Sequence, residues 1–128
     1  MGLPYCRRMT APLQEPTFLI LTALAEQPVH GYGVIQAVGE LSGGRVVLRP
    51  GTLYGALDRL SEQGLVAVDR EEIVDGRLRR YYQLTDDGAA LLAAEARRLA
   101  SNAETAVELL RRRSHQSSRR RRPGVARG

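Results

Sequence analysis

Three arginines cluster beside a tyrosine in the middle of the chain, at Arg77, Arg79, Arg80 and Tyr81. A guanidinium group donates paired hydrogen bonds to phosphate oxygens, so such a cluster is typical of proteins that hold a nucleic-acid backbone. The alternative is that the arginines pair across two strands with carboxylates of the preceding run. Those carboxylates are Asp69, Glu71 and Glu72. We favour phosphate contact, because the predicted helix over residues 52–64 would lie beside the same face.

Residues that carry enzymatic or metal chemistry are scarce. Cys6 is the only cysteine, and His30 and His115 are the only histidines, which is too few ligands for a zinc cluster. No nucleophile is paired with a base, and Gly31-x-Gly33 has no strand before it, as a dinucleotide-binding loop requires. We therefore expect no catalytic residue, no metal site and no cofactor, and a protein that is not an enzyme.

Charge is distributed unevenly along the chain. All 19 basic residues are arginines, and eight of them lie in residues 111–128, where no acidic residue occurs. Residues 1–110 hold 11 Arg against 14 Asp and Glu, so the net charge is −3 in this part and +8 in the tail. The high overall charge is therefore poor evidence for DNA binding, which needs a local cluster such as that around Arg79.

The sequence also bears on location. The first residues lack the charged region, apolar run and cleavage site of a secretory signal. The longest mostly apolar stretch, residues 18–25, is far shorter than the roughly 18 residues that a membrane span needs. Together with the single cysteine, this favours a cytoplasmic protein with no membrane partner, associated with the nucleoid when it is bound to DNA.

The arginine cluster follows three predicted helices and lies on a hairpin. Apolar residues at helical spacing, with glycine and proline at the ends, predict helices over residues 16–27, 30–43 and 52–64. Residues 45–48 are expected to be extended. Two strand-like runs, 65–73 and 77–84, are joined through Asp75-Gly76, a common short hairpin turn. Tyr82 and Leu84 should point into the core.

The third helix has one buried side and one free side. Leu53, Leu57 and Leu60 form its apolar stripe, whereas Tyr54 lies off that stripe. Tyr32, three residues before an apolar position of the second helix, is expected to pack in the core.

A long helix follows the hairpin, with Thr85 as its N-cap, and runs over residues 86–113. Apolar residues recur along it with the a/d alternation of a helix that packs along its length against another helix. These positions are Leu92, Ala96, Leu99, Ala103, Ala106 and Leu110. A helix of nearly 28 residues spans roughly 40 Å, so the partner is expected to be a second copy of the chain. Packing within the chain is the alternative.

Four short motifs in this order and spacing resemble one known family. They are His30-Gly31-Tyr32-Gly33, residues 51–60 beginning Gly-Thr-Leu-Tyr, Gly64-Leu65-Val66, and residues 76–88 with Tyr-Tyr-Gln-Leu-Thr-Asp-Asp-Gly at the end. Over roughly residues 13–110 the chain is similar to the PadR family of bacterial transcriptional regulators. The resemblance implies a mainly α fold with a small β-ribbon (α+β), a winged helix-turn-helix with a long C-terminal dimerisation helix.

The same resemblance implies a function. We expect a homodimeric, sequence-specific regulator of transcription, a repressor that binds an inverted-repeat operator in double-stranded DNA near its own or a neighbouring promoter. A small apolar or aromatic effector is expected to enter a space between the two long helices and the first helix and to release the DNA. The Trp that stacks on planar aromatics in some members is absent from this chain. The alternative is a winged-helix interaction module that has lost specific DNA binding. The net negative charge of residues 1–110 supports this alternative.

The resemblance also assigns residues to the DNA. Thr52, Tyr54 and Gly55 lie at the exposed start of the recognition helix, and Arg59 one turn further on. From the wing, Arg77, Arg79 and Arg80 would hold phosphates, and Tyr81 beside them is also assigned to DNA binding. Two alternatives stay open: Tyr54 could instead cover the junction with the second helix, and Arg59 could form a local ion pair with Asp58 or Glu62.

The expected organisation has four parts. Residues 1–12 form a flexible arm, 13–85 the winged helix-turn-helix domain, 86–113 the dimerisation helix and 114–128 a disordered Arg-rich tail. The tail departs from the usual family pattern. It is either a basic arm that adds sequence-independent DNA affinity or a solvated segment of no consequence.

Overall fold

The structure is a computed structural model and describes residues 12–127. It contains four helices and three strands among these residues, in the order α1, β1, α2, α3, β2, β3, α4. Their bounds are α1 Glu15–Ala23, β1 Val29–His30, α2 Gly31–Leu41, α3 Pro50–Glu62, β2 Val66–Val74, β3 Arg77–Leu84 and α4 Asp86–Arg127. The mainly α fold with a small ribbon that the sequence predicts is confirmed.

The core is built from one face of each of the first three helices. Leu53, Leu57 and Leu60 of α3 are 0%, 0% and 4% exposed, which confirms the predicted apolar stripe. They pack in a cluster that includes Ile20 and Leu21 of α1 and Val34 and Val38 of α2. Truncating one such leucine to alanine costs roughly 2–5 kcal/mol, so this cluster fixes the orientation of α3.

The loop between α2 and α3 is held by one buried hydroxyl. Ser42 is 5% exposed, and its Oγ donates to the carbonyl of Gly39 and accepts from the amide of Val46, at 3.2 and 3.0 Å. Gly43 and Gly44 follow with φ of 64° and 86°, values that glycine adopts without steric cost. The bonds of Ser42 thus set where α3 can begin.

The three strands form an antiparallel sheet in the order β1-β3-β2. The hairpin of β2 and β3 turns through Asp75 and Gly76, which have φ of 53° and 76°, the positive pair of a type I′ turn. Strand β1 pairs with β3 only at Tyr82 and Tyr81. Beyond that point β2 and β3 project as a two-stranded wing. Tyr82 is 4% exposed and Leu84 packs against the core, as predicted.

The exit from the wing is tied to the end of α3. The Thr85 hydroxyl donates to the carbonyl of Gly64 at 2.6 Å and accepts from the amide of Gly88 at 3.0 Å, which confirms Thr85 as the N-cap of α4. A Cβ on Gly88 would clash with the carbonyl oxygen of Leu65. The start of α4 therefore packs directly on the chain that leaves α3.

The described residues form two units that divide between Glu95 and Ala96. In the first, the buried side chain of Glu95 accepts a hydrogen bond from the amide of Leu13 at 3.0 Å. The second unit is the remainder of α4. Its side chains up to Arg120 are exposed apart from that of Glu108, which is half-buried.

Several predicted boundaries differ from the structure. The first helix ends at Ala23 instead of Gln27, because the amides of Leu24 and Ala25 bond to carbonyls only three residues back, which tightens the last turn and ends the α-helix. Residues 45–48 make no strand, and β1 was not predicted. Helix α4 continues to Arg127, through most of the segment expected to be disordered, because no glycine interrupts residues 89–122 and arginine is a good helix former. The predicted arm over residues 1–12 lies outside the described residues except for Pro12.

Candidate nucleic-acid interface

A cleft of about 630 Å³ lies between the N-terminal ends of two helices and the wing. Tyr32 of α2 and Tyr54 of α3 line it from one side. The wing contributes Arg77, Leu78, Arg79 and Arg80 from the other side. The structure therefore brings Tyr54 together with the three wing arginines that the sequence analysis selects.

Tyr54 contacts the backbone of α2. A Cβ built on Gly31 would overlap the hydroxyl and ring of Tyr54, so only a glycine fits beneath this ring. The side chain is still 44% exposed. The ring covers the junction with α2, as the alternative interpretation expects, and leaves almost half its surface open to the cleft. Its contact with DNA stays a prediction.

The other predicted residues of α3 lie along a different edge of the helix. Thr52 is exposed at its first turn and Gly55 is half-buried. The guanidinium of Arg59 lies near Gly55 and lines a second cleft with Thr17 and Gln63. Arg59 is therefore not in the cleft of Tyr54. The alternative for Arg59, an ion pair with Asp58 or Glu62, is not found within 4 Å among the described residues.

The three wing arginines are not equivalent. Arg80 Nε donates to Glu71 Oε2 at 2.8 Å across the hairpin, where the two residues are register partners. This carboxylate raises the pKa of Arg80. For Arg77 and Arg79 no carboxylate lies within 4 Å in the described part of the chain. Cross-strand pairing thus occurs at Arg80, and the other two guanidinium groups are available to an external anion.

Tyr81 is enclosed by its neighbours in the sheet. The guanidinium carbon of Arg70 lies 3.9 Å from the centre of the Tyr81 ring, and the same side chain pairs with Asp69 and Glu72 at 2.9 and 3.0 Å. The ring of His30 meets Tyr81 edge-on, with 5.5 Å between ring centres. Tyr81 is half-buried in this stack. It therefore supports the wing more than it offers a surface to a ligand.

His30 joins the cleft to this stack. Burial, followed by the positive charge of Arg79, lowers the pKa of His30 below its ordinary value of 6.5. The imidazole is therefore mainly neutral at pH 7, with one ring nitrogen as a hydrogen-bond donor and the other as an acceptor.

Two exposed residues were not assigned to the interface from the sequence. Tyr32 was expected in the core, which is wrong: it is 63% exposed and lines the cleft. Its position at the second residue of α2 turns it away from the stripe formed by Val34 and Val38. Arg49 is the exposed N-cap residue of α3. A cation is unfavourable at the positive end of a helix unless an anion lies nearby, and this signal could have been found in the sequence, where Arg49 precedes Pro50-Gly51.

The seam predicted for dimerisation is distributed over both units. Leu92 is half-buried in the first. In the second, Ala96, Ala103 and Ala106 are exposed, and Leu99 and Leu110 are 41% and 61% exposed. Val107, at 55%, adds to the apolar surface of this part of the helix. Among the described residues, no helix is both long and apolar enough to cross a membrane.

The sequence model of the "Transcriptional regulator PadR-like family" matches residues 20–94. "Transcriptional regulator Rv3488" of Mycobacterium tuberculosis is 42% identical over 80 residues, which cover 62% of this chain and 71% of that protein. An uncharacterized 37.1 kDa protein in transposon TN4556 of Streptomyces fradiae is 45% identical over 86 residues, 67% of this chain and 23% of that protein. The chain thus spans about a quarter of the transposon protein and under three quarters of the mycobacterial regulator.

The fold is also found in solved structures. PadR of Bacillus subtilis, crystallised in complex with operator DNA, aligns with a TM-score of 0.57 and 23% identity, over 63% of this chain and 47% of that chain. At this identity the likeness concerns the fold alone, and it confirms the predicted winged helix-turn-helix. The residues matched by the family model include α2, α3 and the whole wing. The chain belongs to the PadR-like family of transcriptional regulators, which are not enzymes.

Proposed function

We propose that this protein is a sequence-specific DNA-binding regulator that acts as a homodimer and represses transcription from an inverted-repeat operator. The observation that carries this proposal is the cleft in which Tyr54 of α3 faces the unpaired wing arginines Arg77 and Arg79. Such an arrangement combines a helix that can enter a major groove with cations that can hold the adjacent phosphates.

The residues divide into two roles. Arg77, Arg79 and Arg49 would contact phosphates, which positions the protein without reading sequence. Their placement around the exposed start of α3 supports this role, because phosphates flank the groove on both sides. Thr52 and Tyr54 would reach base edges or a thymine methyl group from the first turns of α3. Tyr54 is steadied for this by its contact with Gly31.

The dimer is proposed from the second half of α4. Leu99, Ala103 and Leu110 recur at a/d spacing in the part of α4 that follows Glu95, where the side chains described up to Arg120 are exposed except that of Glu108. Burying this stripe against the same stripe of a second copy gives a two-fold symmetric pair. Two recognition helices related in this way meet half-sites about 34 Å apart, one turn of DNA, and an operator so occupied excludes other proteins.

Release by an effector is the least specified part of the proposal. A small apolar molecule held between α4 helices would change the spacing of the two recognition helices, and so the affinity for the operator. The chain contains no Trp and only one Phe, Phe18, so stacking of a planar aromatic on tryptophan is not the chemistry used here.

One observation favours a second candidate function. The exposed face of α3 carries Asp58 and Glu62 beside Tyr54, and carboxylates there repel DNA phosphates. A winged helix that docks on a basic protein surface instead of DNA would keep this fold and these charges.

Fluorescence anisotropy separates the two functions. The full-length protein is titrated into labelled DNA from upstream of its own gene and into a shuffled duplex of the same composition, at low and high salt. A specific regulator prefers the upstream duplex by about a thousandfold or more, and the preference persists as salt rises. Equal binding that disappears with salt in both duplexes contradicts sequence-specific recognition of that DNA.

A further inference from the structure

The end of the wing carries an unusual apolar pair. Ile73 and Leu78 are 75% and 61% exposed, and they are direct register partners across the hairpin, next to the turn. Single exposed hydrophobic side chains are common on protein surfaces, but two that face each other at the end of a projecting ribbon form one continuous apolar surface. Neither residue packs in the core or supports the sheet where β1 is present.

The wing has the dimensions to reach DNA beyond α3. Strand β1 stops pairing with β3 at Tyr81, so residues 77–80 and their partners extend past the three-stranded part of the sheet. At about 3.3 Å per residue, these four residues project roughly 13 Å. The minor groove is about 6 Å wide and 7.5 Å deep, so a two-residue apolar edge fits within it.

Charge around the pair favours DNA as its partner. Arg77 and Arg79 flank Leu78 along β3, and neither has a carboxylate within 4 Å in the described part of the chain. Leu78 also lines the cleft that contains Tyr54, so the apolar edge continues the surface proposed to bind DNA. Two carboxylates oppose these arginines: Asp75 lies in the turn, and Glu72 is the register partner of Arg79. The charge of Glu72 is already partly neutralised by Arg70, with which it pairs at 3.0 Å.

We infer that Ile73 and Leu78 act as an apolar wedge in the minor groove beside the recognition sequence and bend the DNA there. Apolar side chains inserted at a base step partly unstack it and kink the duplex. The energy of this distortion depends on the step, and pyrimidine–purine steps such as TA deform most easily. The wedge would therefore select flexible flanking sequence without any hydrogen bond to a base. This inference rests on the proposed DNA-binding function.

The experiment begins with DNA selected in vitro by the full-length protein from random duplexes of about 40 base pairs, four helical turns. Energy transfer between dyes at the two ends reports bending. The fluorescence of 2-aminopurine placed in the flanking steps reports unstacking. The wild-type complex should be bent by at least about 20°, with brighter 2-aminopurine at the wing position.

Three variants separate the wedge from the charges and from the stability of the ribbon. I73T/L78T removes the apolar surface but keeps residues that suit a strand. This variant should bind the selected duplex with about tenfold lower affinity than the wild type and should leave the DNA unbent. V68T makes the same kind of change at Val68, a 45% exposed residue near the base of the wing, and should leave the bend unchanged. R77Q should lower the salt dependence and retain the bend.

The outcomes are distinct. A selected duplex that stays straight and stacked in the wild-type complex overturns the wedge and leaves the proposed function intact. An I73T/L78T complex as bent as the wild type also overturns it. If no sequence is enriched by selection, both the proposed function and the wedge fail. Loss of the bend in I73T/L78T, with V68T and R77Q still bending the DNA, supports the wedge.

Discussion

The ring of Tyr54 lies directly against the backbone of Gly31, in the space that a side chain at Gly31 would need. Gly31 is the first residue of α2 and Tyr54 belongs to the first turns of α3, so this contact joins the two helices of the helix-turn-helix at the edge of the cleft. The glycine requirement arises from this close approach, because the backbone of Gly31 is helical.

This contact predicts the effect of G31A. The added methyl group displaces the Tyr54 ring, so we expect about tenfold weaker binding to a selected duplex and a loss of roughly 1–3 kcal/mol in the free energy of unfolding. Anisotropy and urea denaturation measure the two effects. In a Y54A background the methyl group has room, so G31A should have little further effect; additive losses would show that the contact does not position Tyr54.

The wing arginines should contribute unequally to DNA binding. Arg80 is paired with Glu71, whereas Arg77 and Arg79 have no such partner within 4 Å in the described part of the chain. R79Q should weaken binding to all duplexes and reduce the slope of log K against log salt by about one, and R80Q should have a smaller effect. The double variant R79A/R80A should then resemble R79Q. A larger effect of R80Q than of R79Q would mean that the ion pair with Glu71 opens on DNA.

Much of this arrangement follows from local sequence signals. The stripe of Leu53, Leu57 and Leu60 has helical periodicity, and Asp75-Gly76 supplies the two positive φ values of a tight hairpin. Both signals depend only on residues close together in the chain. They predict the helix-turn-helix and the wing because those elements need little long-range information to form.

The parts that sequence did not predict depend on contacts between distant residues. Strand β1 has two residues and exists only because it pairs with Tyr81 and Tyr82, far along the chain. Tyr32 is an aromatic residue near an apolar stripe, and only the packing of α2 shows that it faces solvent. Whether a wing arginine is paired depends on strand register and on competing partners. Glu71 lies opposite Arg80 and pairs with it, whereas Glu72, opposite Arg79, pairs with Arg70.

His30 predicts a pH dependence of stability. Its pKa in the folded protein is lowered by burial and by Arg79, so between its ordinary value of 6.5 and the lowered value the unfolded chain binds more protons. This contribution to stability is therefore complete above pH 6.5 and is lost as pH falls to the folded pKa. Urea denaturation at about pH 7.5 and about pH 5.5 should show a smaller decrease for H30Q than for the wild type.

The matched control is H115Q, which removes the other histidine from an exposed position on α4. An H30Q protein with the same pH slope as the wild type would show that His30 does not cause it. DNA affinity should change in the opposite direction, because a nearby phosphate favours the protonated imidazole. Affinity for a selected duplex should therefore increase as pH falls below 6.5 in the wild type and not in H30Q.

The apolar seam of α4 predicts the effect of a single charge. Leu99 is 41% exposed, and L99D would place a carboxylate against the same residue of a second copy. We expect the variant to sediment as a monomer and to lose about a hundredfold or more in affinity for an inverted repeat, since both half-sites must then be bound independently. S101D adds the same charge on the opposite side of the helix and should remain a dimer. If L99D remained a dimer, this seam would not be the dimer interface.

Substitutions in the arginine-rich end of α4 should show whether this segment contributes sequence-independent affinity for DNA. Arg111 and Arg112 pair with Glu108 at 2.7 and 3.3 Å, whereas Arg119 and Arg120 follow in a stretch without any acidic residue. Replacing Arg119 to Arg122 by glutamine should weaken binding to selected and shuffled duplexes by similar factors. It should also reduce the salt slope for both, because the lost contacts are to phosphates. In the wild type, Glu108 already partly neutralises the charges of Arg111 and Arg112. The R111Q/R112Q variant should therefore change the salt slope less. Equal salt slopes with and without the four arginines would mean that this segment does not touch DNA, and the cations of the wing would then account for the whole electrostatic component of binding.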